Sequence, residues 1–123
     1  MTEQEAGVVE IVTLPSEALT RFGSTGVEIG PVAGFREAPD KVFVHLARIG
    51  PGGGIGRHPA TGWQLFAVVH GEGWVAGEDG HRRPLTADGG EAVLWRPGEE
   101  HESGSEAGML AVIVESPARP VRL

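Results

Sequence analysis

Glycine and proline punctuate this chain from end to end, filling 20 and 9 of its 123 positions. Inside a helix, a glycine costs about 1 kcal/mol relative to alanine and a proline about 3 kcal/mol. Spread out rather than pooled, they divide the chain into pieces too short for a long helix. The pieces alternate or are rich in β-formers: KVFVHLARI (41–49), WQLFAVVH (63–70), GWVAG (73–77), EAVLWR (91–96) and MLAVIVE (109–115). Turn formers separate them at GPGGG (50–54), HGEG (70–73), GEDG (77–80), ADGG (87–90) and RPGE (96–99). Short strands at this spacing predict an all-β fold, an antiparallel barrel or jelly-roll sandwich. PSEALTRFG (15–23) suits one short helix or turn, with Ser16 as its N-cap and Gly23 beyond its end.

The length suits a single domain with a real core and is too short for two. Residues 1–40 carry more turn formers and fewer strand runs, and read as an N-terminal extension with edge strands or a segment that pairs with another subunit. Residues 41–115 hold the strand runs and read as the barrel core. Residues 116–123 read as a surface tail, because the two prolines of SPARPVRL cannot join a central strand.

Composition removes several classes of function. With no cysteine there are no disulfides, zinc–thiolate sites or cysteine nucleophiles, so any metal must be held by imidazole, amide or carboxylate. The formal charge of −7, with Lys41 as the only lysine, argues against nucleic acid. Arg82-Arg83 reads as a solvated turn. No run of apolar residues is long enough for a membrane-spanning helix. The acidic opening MTEQEAGVVEIV lacks the basic and apolar regions of a signal peptide, so the expected location is the cytoplasm. Partners are expected to be small molecules or another copy of the chain.

Histidine stands at 45, 58, 70, 81 and 101. His58 follows the glycine-rich loop and His101 follows RPGEE. On a strand, residues two apart share a face, so 58 and 60 point the same way, and Gln64 shares a face with Phe66 and Val68. A barrel brings that face opposite His101. Each histidine has a plainer reading as a hydrogen-bonded pocket residue. His45 is a candidate for a further imidazole from the preceding strand, while His70 and His81 sit beside turns and read as surface residues. Trp63, Trp74 and Trp95 read as packing, with Trp95 or Phe66 as candidate pocket walls. GPGGGIG is not a phosphate loop, since no G-K-[ST] follows and a strand leaves it. No G-x-S-x-G elbow is present.

Gly52, His58, Ala60, Gln64 and Gly71 match the spacing of the first cupin motif, G-x5-H-x-H-x3-E-x6-G. Gly90, Gly98, His101 and Ser105 follow that of the second, G-x5-P-x-G-x2-H-x3-N, with Arg96 at the proline position and Pro97 one place later. The chain thus resembles a small single-domain cupin across residues 52–105. The resemblance implies a small antiparallel barrel whose two motifs face one pocket. In metal-bearing cupins, the histidines and glutamate of these motifs hold a divalent first-row ion. By that correspondence His58, Gln64 and His101 are the candidate metal ligands, Ala60 has lost a ligand, and Gln64 offers a neutral amide oxygen in place of a carboxylate. Pocket candidates are His45, Ala60, Phe66 and Trp95. A set of neutral ligands leaves the ion's charge uncompensated and lowers its affinity. The expected cofactor is one divalent ion among Zn, Fe, Mn, Ni and Cu, or none. Two functions follow: a metal centre acting on a small molecule by dioxygenase, isomerase or cyclase-like chemistry, or a metal-free small-molecule binder or sensor. A third reading leaves the pocket as a relic in a structural protein. A homodimer is also expected, because edge strands need covering.

Overall fold

Ten strands make up the regular structure of the protein in a computed structural model that describes residues 7–121. They are β1 (Glu10–Thr13), β2 (Glu17–Ala18), β3 (Glu28–Ile29), β4 (Phe43–Ile49), β5 (Gly54–Pro59), β6 (Trp63–Ala76), β7 (Arg83–Thr86), β8 (Glu91–Trp95), β9 (Glu100–Gly104) and β10 (Met109–Ser116). One wall runs β1-β8-β6-β10-β4. The other places β9 between β5 and the far half of β6, with β7 on the opposite side of β6. All pairings are antiparallel, so the predicted all-β class holds. Among the described residues, no helix is long and apolar enough to cross a membrane.

Strand β6 joins the two walls. Its first half pairs with β8 and β10, and its second half pairs with β7 and β9. The β6–β10 register slips between Leu110, opposite His70, and Ala111, opposite Val68, which leaves Val69 as an extra residue. Such a bulge bends a strand and shifts its alternation by one. The shift is visible in the core: Phe66 and Val68 point inward before the bulge, and Val75 does so after it. Two glycines make the bend possible. Gly71 has φ +81°, and a Cβ there would lie 2.4 Å from the Gly108 carbonyl oxygen. At Gly73 the same atom would lie 2.3 Å from the Gly104 carbonyl oxygen. The sequence expectation of two strands, 63–70 and 73–77, split by a turn at HGEG is therefore corrected. Those glycines bend one continuous strand instead of reversing it.

Two apolar layers flank the β6 wall. Inside lie Phe66, Val68, Val75, Val93, Trp95, Ala111 and Ile113 with Ala60. Burying a side chain such as Phe66 contributes roughly 1.5–3 kcal/mol. Outside, Leu65, Ala67, Ala92, Leu94 and Val114 form a second cluster, against which Ala33 and Phe35 pack. Residues 15–23 differ from the sequence expectation. Glu17–Ala18 pairs with Glu28–Ile29, and only Arg21–Gly23 makes a 3-10 turn, with Thr20 rather than Ser16 at its N-cap position and no side-chain capping bond. Beyond β10 the chain stays docked: Arg119 bonds Glu10, and the Val121 N–H donates to the Gly34 carbonyl.

Candidate functional site

His58 and His101 are direct partners across the β5–β9 ladder. The loop before β5 and the RPGE turn before β9 bring them there. Gly98, at φ +81°, tightens that turn, and the Glu99 carboxylate accepts the Arg96 N–H at 2.9 Å. The Ala60 N–H then donates to the Glu99 carbonyl at 3.0 Å, and the Gly98 N–H donates to the Ala60 carbonyl at 2.8 Å. This clasp ties the end of β5 to the turn that launches β9. Arg57 anchors the same strand by donating to the carbonyls of Gly77 and Glu78.

The two rings stand 4.4 Å apart between centroids, tilted by 55°. His58 Nδ1 lies 2.6 Å from the Gly56 carbonyl oxygen, and His101 Nδ1 lies 3.0 Å from that of Glu99. A carbonyl only accepts, so each Nδ1 carries the hydrogen, and each neutral ring keeps its lone pair on Nε2. His101 is 2% exposed, and its Nε2 is buried without a hydrogen-bond partner. Burial pushes the His101 pKa down from its ordinary 6.5, and His58 adds to that. The Glu99 carbonyl, Glu100 and Glu115 pull the other way. The ring is therefore neutral at neutral pH. Glu99 is shifted upward, first because it is desolvated and then because Glu78 and Glu10 are near, with the Arg96 N–H opposing.

Behind the pair, Trp95 stacks on His101 at 4.2 Å, and Phe66 meets Trp95 edge-on at 5.7 Å. Trp95 Nε1 is also buried without a partner. Gln64, 7% exposed, is the cross-strand partner of Trp95 on one side and of Glu115 on the other. Its amide nitrogen donates to Glu115 Oε1 at 2.6 Å. Glu115 Oε2 lies 3.5 Å from His45 Nε2. Among the described residues, no three His, Cys, Asp or Glu side chains stand close enough to hold a metal ion by themselves.

Hollows of about 390, 360 and 430 Å³ open on the surface, and none of these three is lined by His58 or His101. The 360 Å³ hollow borders Glu115, with Phe43, Lys41 and Gly62 on its walls.

No family model and no curated protein sequence matches the chain. Solved structures do. An RmlC-like cupin from Shewanella frigidimarina superposes with TM-score 0.56 at 27% identity, over 63% of this chain and 68% of that one. A protein with a double-stranded β-helix domain from Klebsiella pneumoniae gives 0.57 at 21% identity, over 74% and 80%. Salicylate 1,2-dioxygenase from Pseudoaminobacter salicylatoxidans gives 0.56 at 16% identity, over 61% of this chain but only 20% of that enzyme. The fold is that of a small cupin domain.

Within this fold the sequence-derived site residues separate into two groups. His58 and His101 meet directly, with Trp95 and then Phe66 behind them. Gln64 and His45 instead converge on Glu115. Ala60 is packed in the interior cluster, 5% exposed. His70 and His81 are exposed. Sequence reasoning missed Glu115, the acid that ends the apolar run MLAVIVE. The available signal was its parity: it alternates with Ala111 and Ile113, which face the interior.

Proposed function

We propose that this cupin binds a divalent first-row metal ion at the mouth of its barrel and presents it to a small molecule. The observation that carries the reading is the matched anchoring of the two imidazoles. Metal-ligating histidines commonly donate one ring N–H to a backbone carbonyl, which fixes the ring and frees the other nitrogen. His58 and His101 both do this, through Gly56 and Glu99, and His101 Nε2 is left with an unfilled valence. The exposed His58 ring lies 4.4 Å from that of His101 between centroids. Gln64 Oε1 is the remaining acceptor from β6, since the amide nitrogen is committed to Glu115. Two or three neutral donors leave several coordination positions for water or substrate. When bound, the ion supplies Lewis-acid polarisation of an oxygen on the ligand. Trp95 walls the site, keeps water from His101 and keeps that ring neutral.

The salicylate dioxygenase likeness is compatible with an oxygenated aromatic ligand, as are dioxygenase, isomerase or cyclase-like reactions. The test is titration with Co(II), Zn(II), Mn(II), Ni(II), Fe(II) and Cu(II), followed by calorimetry, for the intact protein and for His58→Ala. Binding that is lost in the variant supports the reading. Absence of binding for every ion overturns it.

A homodimer is proposed on separate grounds. Among the described residues, β4 ends the main wall with β10 as its only ladder neighbour, so its outer edge is unpaired there. Phe43, Val44 and Leu46 on that strand are 54%, 67% and 50% exposed. An open apolar edge is a template for a second strand, and an antiparallel β4–β4 pairing about a two-fold axis covers both copies at once.

A further inference from the structure

We infer that the anionic group of this site is Glu115 on β10, and that residue 64 is an amide because a second carboxylate is not tolerated beside it. The inference deepens the metal reading and rests on it in part. Gln64 and Glu115 are directly paired across β6 and β10, with the amide nitrogen 2.6 Å from Glu115 Oε1. At that separation, in a partly buried position, a glutamate at 64 would set two like charges against each other. The amide turns the repulsion into a hydrogen bond and orients the carboxylate. His45, from β4 on the far side of β10, approaches the second oxygen at 3.5 Å. Three adjacent strands thus converge on a single acid, held from both sides.

Through Gln64 that acid is also tied to the strand that backs the histidine pair. Gln64 is cross-strand partner to Trp95, whose indole stacks on His101. A cation that engages Gln64 Oε1 would therefore be linked through that amide to the Glu115 carboxylate on β10. Glu115 also lines the 360 Å³ hollow beside Phe43 and Lys41. Its role is to position and to neutralise through Gln64 rather than to react.

The experiment is a Co(II) titration and a thermal melt of four proteins: the native chain, Glu115→Gln, Gln64→Glu, and the double exchange Gln64→Glu/Glu115→Gln. The expected result is a loss of about tenfold or more in Co(II) affinity for Glu115→Gln. The exchange, which returns one carboxylate to the pair, should recover most of it. In the melts, Gln64→Glu should lower Tm by about 4 °C, and the exchange should reverse that loss. If the native protein binds Co(II) and Glu115→Gln binds it equally well, the inference is overturned and the metal reading stands. If the native protein binds no metal, the metal reading falls and the melts decide. A Gln64→Glu penalty reversed by the exchange then supports the one-carboxylate pair, and an unchanged Tm in Gln64→Glu overturns it.

Discussion

His101 packs between a tryptophan and a histidine, 4.2 Å from the Trp95 ring and 4.4 Å from that of His58, with its Nδ1 spent on a backbone carbonyl and its Nε2 unsatisfied. A buried acceptor without a partner costs about 1–3 kcal/mol. Whatever fills that valence stabilises the folded protein and not the unfolded chain.

Metal addition should therefore raise the melting temperature. At a free ion concentration 100 times Kd the stabilisation is about 2.7 kcal/mol. The shift should vanish on adding a chelator, and His58→Ala should melt at the same temperature with or without the ion. An equal ion-induced shift in His58→Ala would place the metal elsewhere. Differential scanning fluorimetry across a Zn(II) or Co(II) series provides the measurement.

Stability should fall as pH drops below about 6.5. The His101 pKa in the folded protein is below its ordinary 6.5, chiefly through desolvation. Between those two values the unfolded chain binds a proton that the folded protein refuses, so unfolding becomes easier with acid. Glu99 works with the opposite sign: its carboxyl is raised above 4.5 by burial, so the folded state takes up that proton first and gains stability as pH falls towards 4.5. Urea midpoints at pH 7.5 and 5.5 should differ in the native protein, and the difference should shrink in His101→Gln. An unchanged difference in that variant would assign the acid sensitivity to other groups.

Ala60→His, which rebuilds the ligand position that Ala60 lacks, should destabilise the protein rather than complete a site. Ala60 is buried in the same cluster as Phe66 and Trp95, and its backbone N–H and C=O are both used in the clasp to Glu99 and Gly98. An imidazole there overpacks a filled interior, at a cost of about 1–3 kcal/mol. Chemical denaturation measures it. A variant as stable as the native protein, with tighter metal binding, would show that the interior opens at this point.

Much of this fold was legible because its punctuation is steric. The glycines and prolines mark where strands end, and the alternation of Phe66 and Val68 gives the inward face. The HGEG segment misled for a related reason. Glycine permits a bend as readily as a reversal, and only the clash of a Cβ with the Gly108 and Gly104 carbonyls shows which occurs. At the site, motif spacing pointed to His58 and His101 without specifying that they are ladder partners. Glu115 lies 51 residues from Gln64, at the end of an apolar run with the signature of a core strand. Its proximity to Gln64 comes from β10 lying beside β6, a pairing that local sequence patterns do not encode.

The exposed edge of β4 yields the last prediction. Val44 and Leu46 lie on its outer side, opposite the buried Val114 and the partly covered Val112 of β10, and Phe43 adds an exposed ring at the strand's start. Replacing Leu46 by Glu puts a charge on the face that a second copy must bury. If β4 is the dimer contact, sedimentation should show a dimer for the native protein and a monomer for Leu46→Glu. Burying unpaired charge at the centre of an isologous contact counts twice, once for each copy, and typically costs several kcal/mol. Because Leu46 is half-exposed in the single chain, the monomer should keep its fold, read as an unchanged far-ultraviolet circular dichroism spectrum. A native protein that sediments as a monomer at micromolar concentration would remove this contact, as would a Leu46→Glu variant that remains dimeric.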